Sequence, residues 1–170
     1  MFSLTKQHYL QILFALSCLI LLSALIFEYV LGYQPCNLCI IERIPYGLAI
    51  IILILNNFFK KDQLFHNILL ILVFSFSIII SVYHFGIEQG FVEESTVCAS
   101  QNIDLMTREQ ILNSLKELNI SCKNVAFRIF GLSLTTYNLF ASVLMLIMSL
   151  KILSLTNNHD IKNKIEEFIR

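Results

Sequence analysis

Four of the five cysteines in this 170-residue chain stand where thiol–disulfide chemistry could use them. Cys36 and Cys39 enclose Asn37 and Leu38 in a CxxC, while Cys98 and Cys122 are further along, with residues 99–121 between them. A CxxC closes a very small ring. As a passive staple it restrains the unfolded chain less than a long loop would, and its spacing recurs in redox-active pairs. Four thiolates could also enclose a structural zinc ion, but only the first pair has ligand spacing, so no metal is expected. Cys18 lies among Leu, Ile and Ser in an apolar run and reads as a packing residue.

If the Cys36–Cys39 turn opens a helix, unpaired N–H groups and the positive end of the macrodipole favour a thiolate there. Arg43 follows Cys39 by four residues. On a continuous helix it would lie one turn deeper on the same face, able to hold a thiolate or an acceptor's oxygen. The competing readings are snorkelling at an interface and a pair with a nearby carboxylate.

The elements that must position these residues are membrane helices. With 56% hydrophobic and 14% charged residues and a mean hydropathy of +0.73, the composition is not that of a soluble globular domain. The formal net charge is zero, from 12 basic and 12 acidic residues, which argues against a nucleic-acid partner. The expected fold is an all-α membrane protein: a single integral membrane domain over residues 1–170, built as a four-transmembrane-helix bundle. Its spans cover about residues 9–31, 36–59, 64–86 and 129–150, with outer loops at about 32–43 and 88–128. The first apolar run is longer than a signal-peptide core and lacks a small-residue cleavage pattern, so it is expected to be a retained helix.

The second span is the least regular. Its charge-free run from Ile44 to Phe59 is 16 residues, or about 24 Å of helix, against a hydrocarbon core of about 30 Å. Starting near Pro35 supplies the missing length and puts Cys36, Cys39, Glu42 and Arg43 at one interface. Pro45 must then bend or interrupt the first turns.

Short flanks on one side carry Lys6, Lys60, Lys61, Lys151, Lys162, Lys164 and Arg170; the opposite side carries Arg43, Arg108, Lys116, Lys123 and Arg128. This bias predicts cytoplasmic termini and places the four site cysteines on the outer, oxidising side. In the second outer loop, Thr107 and Gln110 form a capping-box pattern. Ile111, Leu112, Leu115 and Leu118 follow on one face, predicting a short amphipathic helix that lies on the bilayer or packs on the loop.

The segment Pro35-Cys36-Asn37-Leu38-Cys39-Ile40-Ile41-Glu42-Arg43 resembles the quinone-facing motif of the DsbB family of disulfide-forming membrane proteins. The resemblance extends to Tyr83-His84-Phe85-Gly86-Ile87-Glu88, to Gly131-Leu132-Ser133 and to the four spans. It implies a thiol:quinone oxidoreductase of the bacterial inner membrane that reoxidises a periplasmic DsbA-like oxidase of thioredoxin fold. It further implies that Cys36 and Cys39 reduce ubiquinone or menaquinone, with Cys39 contacting the ring and Arg43 and His84 near it. Cys98 would be attacked by the partner, and Cys122 would be its disulfide mate. The chain departs from the family pattern in having no Trp, with Phe127 five residues after Cys122 where Trp is expected, and in having Leu134 where many members have Met.

Three alternatives stand beside this reading. One is an oxidase dedicated to a single specialised partner, as in DsbI-like proteins. A second is a relative of the vitamin K epoxide reductase family, disfavoured because there the CxxC lies near the last helices. The third is a membrane scaffold with static disulfides, Cys36 to Cys39 and Cys98 to Cys122.

Overall fold

In a computed structural model of the chain, the described residues are 6–33, 35–59, 62–93, 98, 122, 128–129 and 131–169, with side chains of the last helix through Thr156. The helices are α1 (Lys6–Leu25), continued by a π turn (Ile26–Val30), then α2 (Asn37–Ile41), α3 (Ile44–Phe58), α4 (Gln63–Glu88) and α5 (Leu134–Ile169). Two short strands, β1 (Arg128–Ile129) and β2 (Leu132–Ser133), pair antiparallel just before α5.

Four helical stretches are long and apolar enough to cross a bilayer: Lys6–Val30, Asn37–Phe58, Gln63–Glu88 and Leu134–Thr156. The all-α, four-span architecture expected from the composition is therefore the fold found. The expected amphipathic helix of the outer loop, with Thr107, Gln110 and Ile111 to Leu118, lies outside the described residues.

The bundle is held by a small apolar core and a lattice of small polar side chains. Leu13, Tyr46, Ala49, Leu53, Leu70, Phe74, Met145 and Ile152 are buried together where α1, α3, α4 and α5 meet. The outward faces carry Leu19, Ile51, Ile79 and Phe140, all exposed, as expected of helices whose surroundings are acyl chains. Because lipid is as apolar as leucine, close packing and hydrogen bonds must supply much of the helix association. Ser17, Ser77, Ser81, Ser142 and Ser149 are accordingly buried at contacts. At mid-bundle the Tyr46 hydroxyl donates to Asn138 Oδ1 and lies 3.0 Å from Ser142 Oγ. Asn138 Nδ2 donates to Ser81 Oγ at 2.8 Å, and Ser142 lies 2.9 Å from Ser77. This one network ties α3, α4 and α5.

Local chemistry sets the ends of the elements that carry the site. Pro45 occupies the first turn of α3, where its missing N–H has no intrahelical partner to lose. The helical path is thus interrupted at Glu42 and Arg43, both still in right-handed backbone conformation. The last helix starts at Leu134 rather than near Ile129. Arg128 and Ile129 pair with Ser133 and Leu132 ahead of it, Gly131 has a φ of +83°, and Ser133 Oγ accepts the Thr136 N–H as an N-cap. Gly90, at a φ of +77°, closes α4, letting the Phe91 N–H return to the Gly86 carbonyl at 2.9 Å.

Candidate functional site

The end of the bundle where α4 finishes and α2 and α5 begin gathers most of the chemistry-bearing side chains into one place. Cys36 is the N-cap of α2, and its sulfur accepts the Cys39 N–H at 3.3 Å. One turn of helix brings Cys39 back over it, and the two sulfurs stand 2.7 Å apart. Leu38 between them is buried against Ile87 of α4, which anchors the turn to the bundle.

Cys98 and Cys122 are joined by a disulfide with Cα atoms 5.7 Å apart. Both are 4% exposed and belong to the same buried cluster as Cys36, Leu38 and Ile87, with Cys39 packed against it. The two pairs, whose nearest members are 59 positions apart in sequence, are therefore neighbours in space. Cys18 is far from them, on α1.

His84 enters this cluster from α4 and is 2% exposed. Its Nε2 lies 3.6 Å from Cys36 Sγ, and its Nδ1 lies 3.2 Å from Glu42 Oε1 and 3.5 Å from Thr135 Oγ1. Glu42 and Thr135, both 7% exposed, share the pocket. The Cys36 thiol is pushed well below its ordinary range, to about 5. The Cys39 side chain hydrogen-bonded to its sulfur has the largest effect and His84 adds to it, against burial, which acts the other way. A thiolate is thus favoured at Cys36, where the first turn also offers it an N–H.

Arg43 points elsewhere. Its guanidinium pairs with Glu28, which the π turn at the end of α1 carries into reach. Both groups are about three-quarters buried at the bundle's outer rim. A pair with a nearby carboxylate, one of the competing readings of this arginine, is the arrangement found.

Sequence reasoning gave no role to Glu42, Glu28 or Thr135. Two of them carried a signal: a carboxylate inside or at the end of an apolar span is costly unless it meets a partner. Thr135 carried none, because its position depends on where α5 begins.

Cys36, Cys39 and His84 also offer two sulfurs and a nitrogen within 4.8 Å of one another, the ligand set of a Cys2His site. Two thiolates on one tetrahedral zinc stand roughly 3.8 Å apart, given Zn–S bonds of about 2.3 Å. At 2.7 Å the two sulfurs are set for each other.

Comparison with known proteins agrees with this geometry. The family model described as "Disulfide bond formation protein DsbB" matches residues 6–152. A protein of Rickettsia prowazekii (strain Madrid E), itself described as uncharacterized, is 33% identical over 141 residues, covering 80% of this chain and 81% of its own length. No solved structure matches the chain.

Proposed function

Since the chain belongs to the DsbB family of membrane proteins for disulfide bond formation, we propose that it is a thiol:quinone oxidoreductase that reoxidises a periplasmic, DsbA-like dithiol partner. The observation that carries this reading is the shared burial of the two cysteine pairs, one bonded and one poised to bond, at one end of a four-span bundle. Two static disulfides on a scaffold have no need to share a cluster. Electrons that arrive at one pair and leave from the other do.

In the proposed cycle the partner's thiolate attacks Cys98, and resolution of the mixed disulfide leaves Cys98 and Cys122 reduced and the partner oxidised. Exchange with the Cys36–Cys39 disulfide re-forms the Cys98–Cys122 bond and leaves Cys36 and Cys39 as thiols. Re-forming the Cys36–Cys39 bond then requires an acceptor for two electrons and two protons. The surroundings of Cys39 fit a lipid-borne quinone: the residue is half-buried, and the exposed Ile40 and Ile44 give an apolar approach from the bilayer. Arg43, on release from Glu28, is the donor that would hold a quinone oxygen, while the buried His84, with its ring nitrogens toward Glu42 and Cys36, would act on the cysteine pair beside the ring. When bound, ubiquinone or menaquinone supplies the two-electron sink. The energetic case is independent. A partner as oxidising as DsbA, at about −120 mV, cannot be reoxidised by a glutathione pool near roughly −200 mV.

The proposed chemistry calls for a bacterial inner-membrane location with both termini cytoplasmic and the four cysteines facing the periplasm. The excess of Lys and Arg on the terminal side supports that orientation. The direct test is anaerobic. Purified protein is mixed with a reduced periplasmic dithiol and a short-chain quinone while quinone absorbance and free thiols are followed. Stoichiometric quinone loss that Cys39→Ser abolishes is expected. Absence of quinone loss with the four cysteines inert would return the protein to the scaffold reading.

A further inference from the structure

Glu42 is a carboxylate brought almost completely out of water at the edge of a membrane, and its burial calls for a reason. Arg43, the adjacent cation, is engaged with Glu28 instead. What Glu42 touches is the Nδ1 edge of His84, whose Nε2 edge faces Cys36. Carboxylate, imidazole and thiol thus stand in line, in the arrangement by which a buried acid fixes the tautomer and orientation of a histidine base beside a nucleophile.

We infer that Glu42 is the positioning residue of a Glu42–His84–Cys36 relay, in which the carboxylate holds the His84 Nδ1–H so that Nε2 takes the Cys36 thiol proton. The inference rests on the proposed function for its place in a cycle: Cys36 must be a thiolate to close the bond to Cys39. That closure removes two electrons and two protons from two thiols, a balance completed by one quinone going to one quinol. Thr135, 3.5 Å from Nδ1, is the second group on that edge of the ring. The lowered range of the Cys36 thiol, in which His84 is one of the causes, supports the relay.

Among the described residues, the titratable and charged groups around Cys36 are Cys39 on its own turn, Glu42 and Arg43 between α2 and α3, Tyr46 one turn below them, His84 from α4 and Glu28 from the π turn; α5 contributes the neutral Thr135. Two simple effects of Glu42 have opposite signs. Acting only through space, its negative charge disfavours a thiolate nearby, so removing it eases ionisation of Cys36. Acting through His84, it sustains the imidazolium that favours the thiolate, so removing it makes ionisation harder.

The experiment uses fully reduced, full-length protein in detergent, freed of quinone and carrying Cys39→Ser so that Cys36 has no partner on its turn. Alkylation of Cys36 by iodoacetamide is followed by peptide mass spectrometry from about pH 4 to pH 10. Glu42→Gln is expected to raise the midpoint by one pH unit or more, slowing alkylation at mildly acid pH about tenfold. In a His84→Gln background the same substitution should no longer raise it. Glu42→Asp, which keeps the charge, should fall between Glu42→Gln and the parent, and it serves alone if Glu42→Gln does not fold. A midpoint that stays or falls in the Glu42 variants, or that rises equally without His84, overturns the relay. Quinone turnover of the wild-type protein is measured in parallel. Its absence would sink the proposed function while leaving the alkylation result to judge the relay.

Discussion

The outer site and the mid-bundle network use the same three helix faces one turn apart, with different chemistry. Glu42 is followed four residues later by Tyr46, His84 is preceded by Ser81 and Ser77, and Thr135 is followed by Asn138 and Ser142. At mid-bundle every member is neutral, and hydroxyls and a carboxamide satisfy one another. At the outer end the same faces carry a carboxylate, an imidazole and two thiols. Neutral hydrogen bonds between membrane helices contribute modestly to packing. Buried ionisable groups at the end of a span are costlier, and their presence marks function. One region holds the helices in register so that the other can hold reactive atoms.

Four measurements can break or sharpen that contrast. The largest effect is expected from Cys39→Ser or Cys36→Ser, which should lower dithiol-dependent quinone reduction by at least about a thousandfold, because residues acting as a unit fail together. The same variants should cost no more than about 1 to 3 kcal/mol of unfolding stability, checked by thermal denaturation in detergent. Next is Arg43→Gln, which removes a charged donor at the rim and should raise the quinone concentration for half-maximal rate about tenfold in steady-state kinetics. An unchanged value would leave Arg43 as Glu28's partner and nothing more.

The third is a pH dependence. With the Cys36 thiol lowered to about 5, the reactive thiolate is present above that pH and is lost as the pH falls through it. Alkylation of Cys36 in the reduced protein should therefore stay fast from neutral pH down to about 5, whereas an ordinary thiol slows below about 8.5. The smallest effect is expected from Tyr46→Phe, which deletes a hydroxyl from the neutral network. It should cost about 0.5 to 1.5 kcal/mol of stability and leave turnover unchanged. Loss of turnover in that variant would show that the two regions are one.

Much of this was legible in the chain because lipid simplifies the problem. Apolar runs of the right length specify spans, and cysteines confined to one side of them specify chemistry. The interruption before α3 could be read from Pro45, whose effect on a helix is local. What stayed hidden depended on geometry between segments distant in sequence. The partner of Arg43 sits on a π turn, and an added residue per turn leaves no mark in an apolar run such as Ile26–Val30. The start of α5 lies five residues beyond the expected Ile129 because apolarity in the sequence continues through Phe130, whereas the helix waits for the Ser133 cap. With that start moved, Thr135 becomes a neighbour of His84.

The burial of Cys98 also bears on timing. The residue is 4% exposed within the cluster that holds Cys36, so in the proposed cycle an external thiol reaches its sulfur by opening that cluster. Engagement with the partner and handover to the inner pair are then mutually exclusive occupancies of one sulfur, like the two doors of an airlock. In the proposed cycle, a reduced partner in great excess would hold the outer door open and slow its own oxidation.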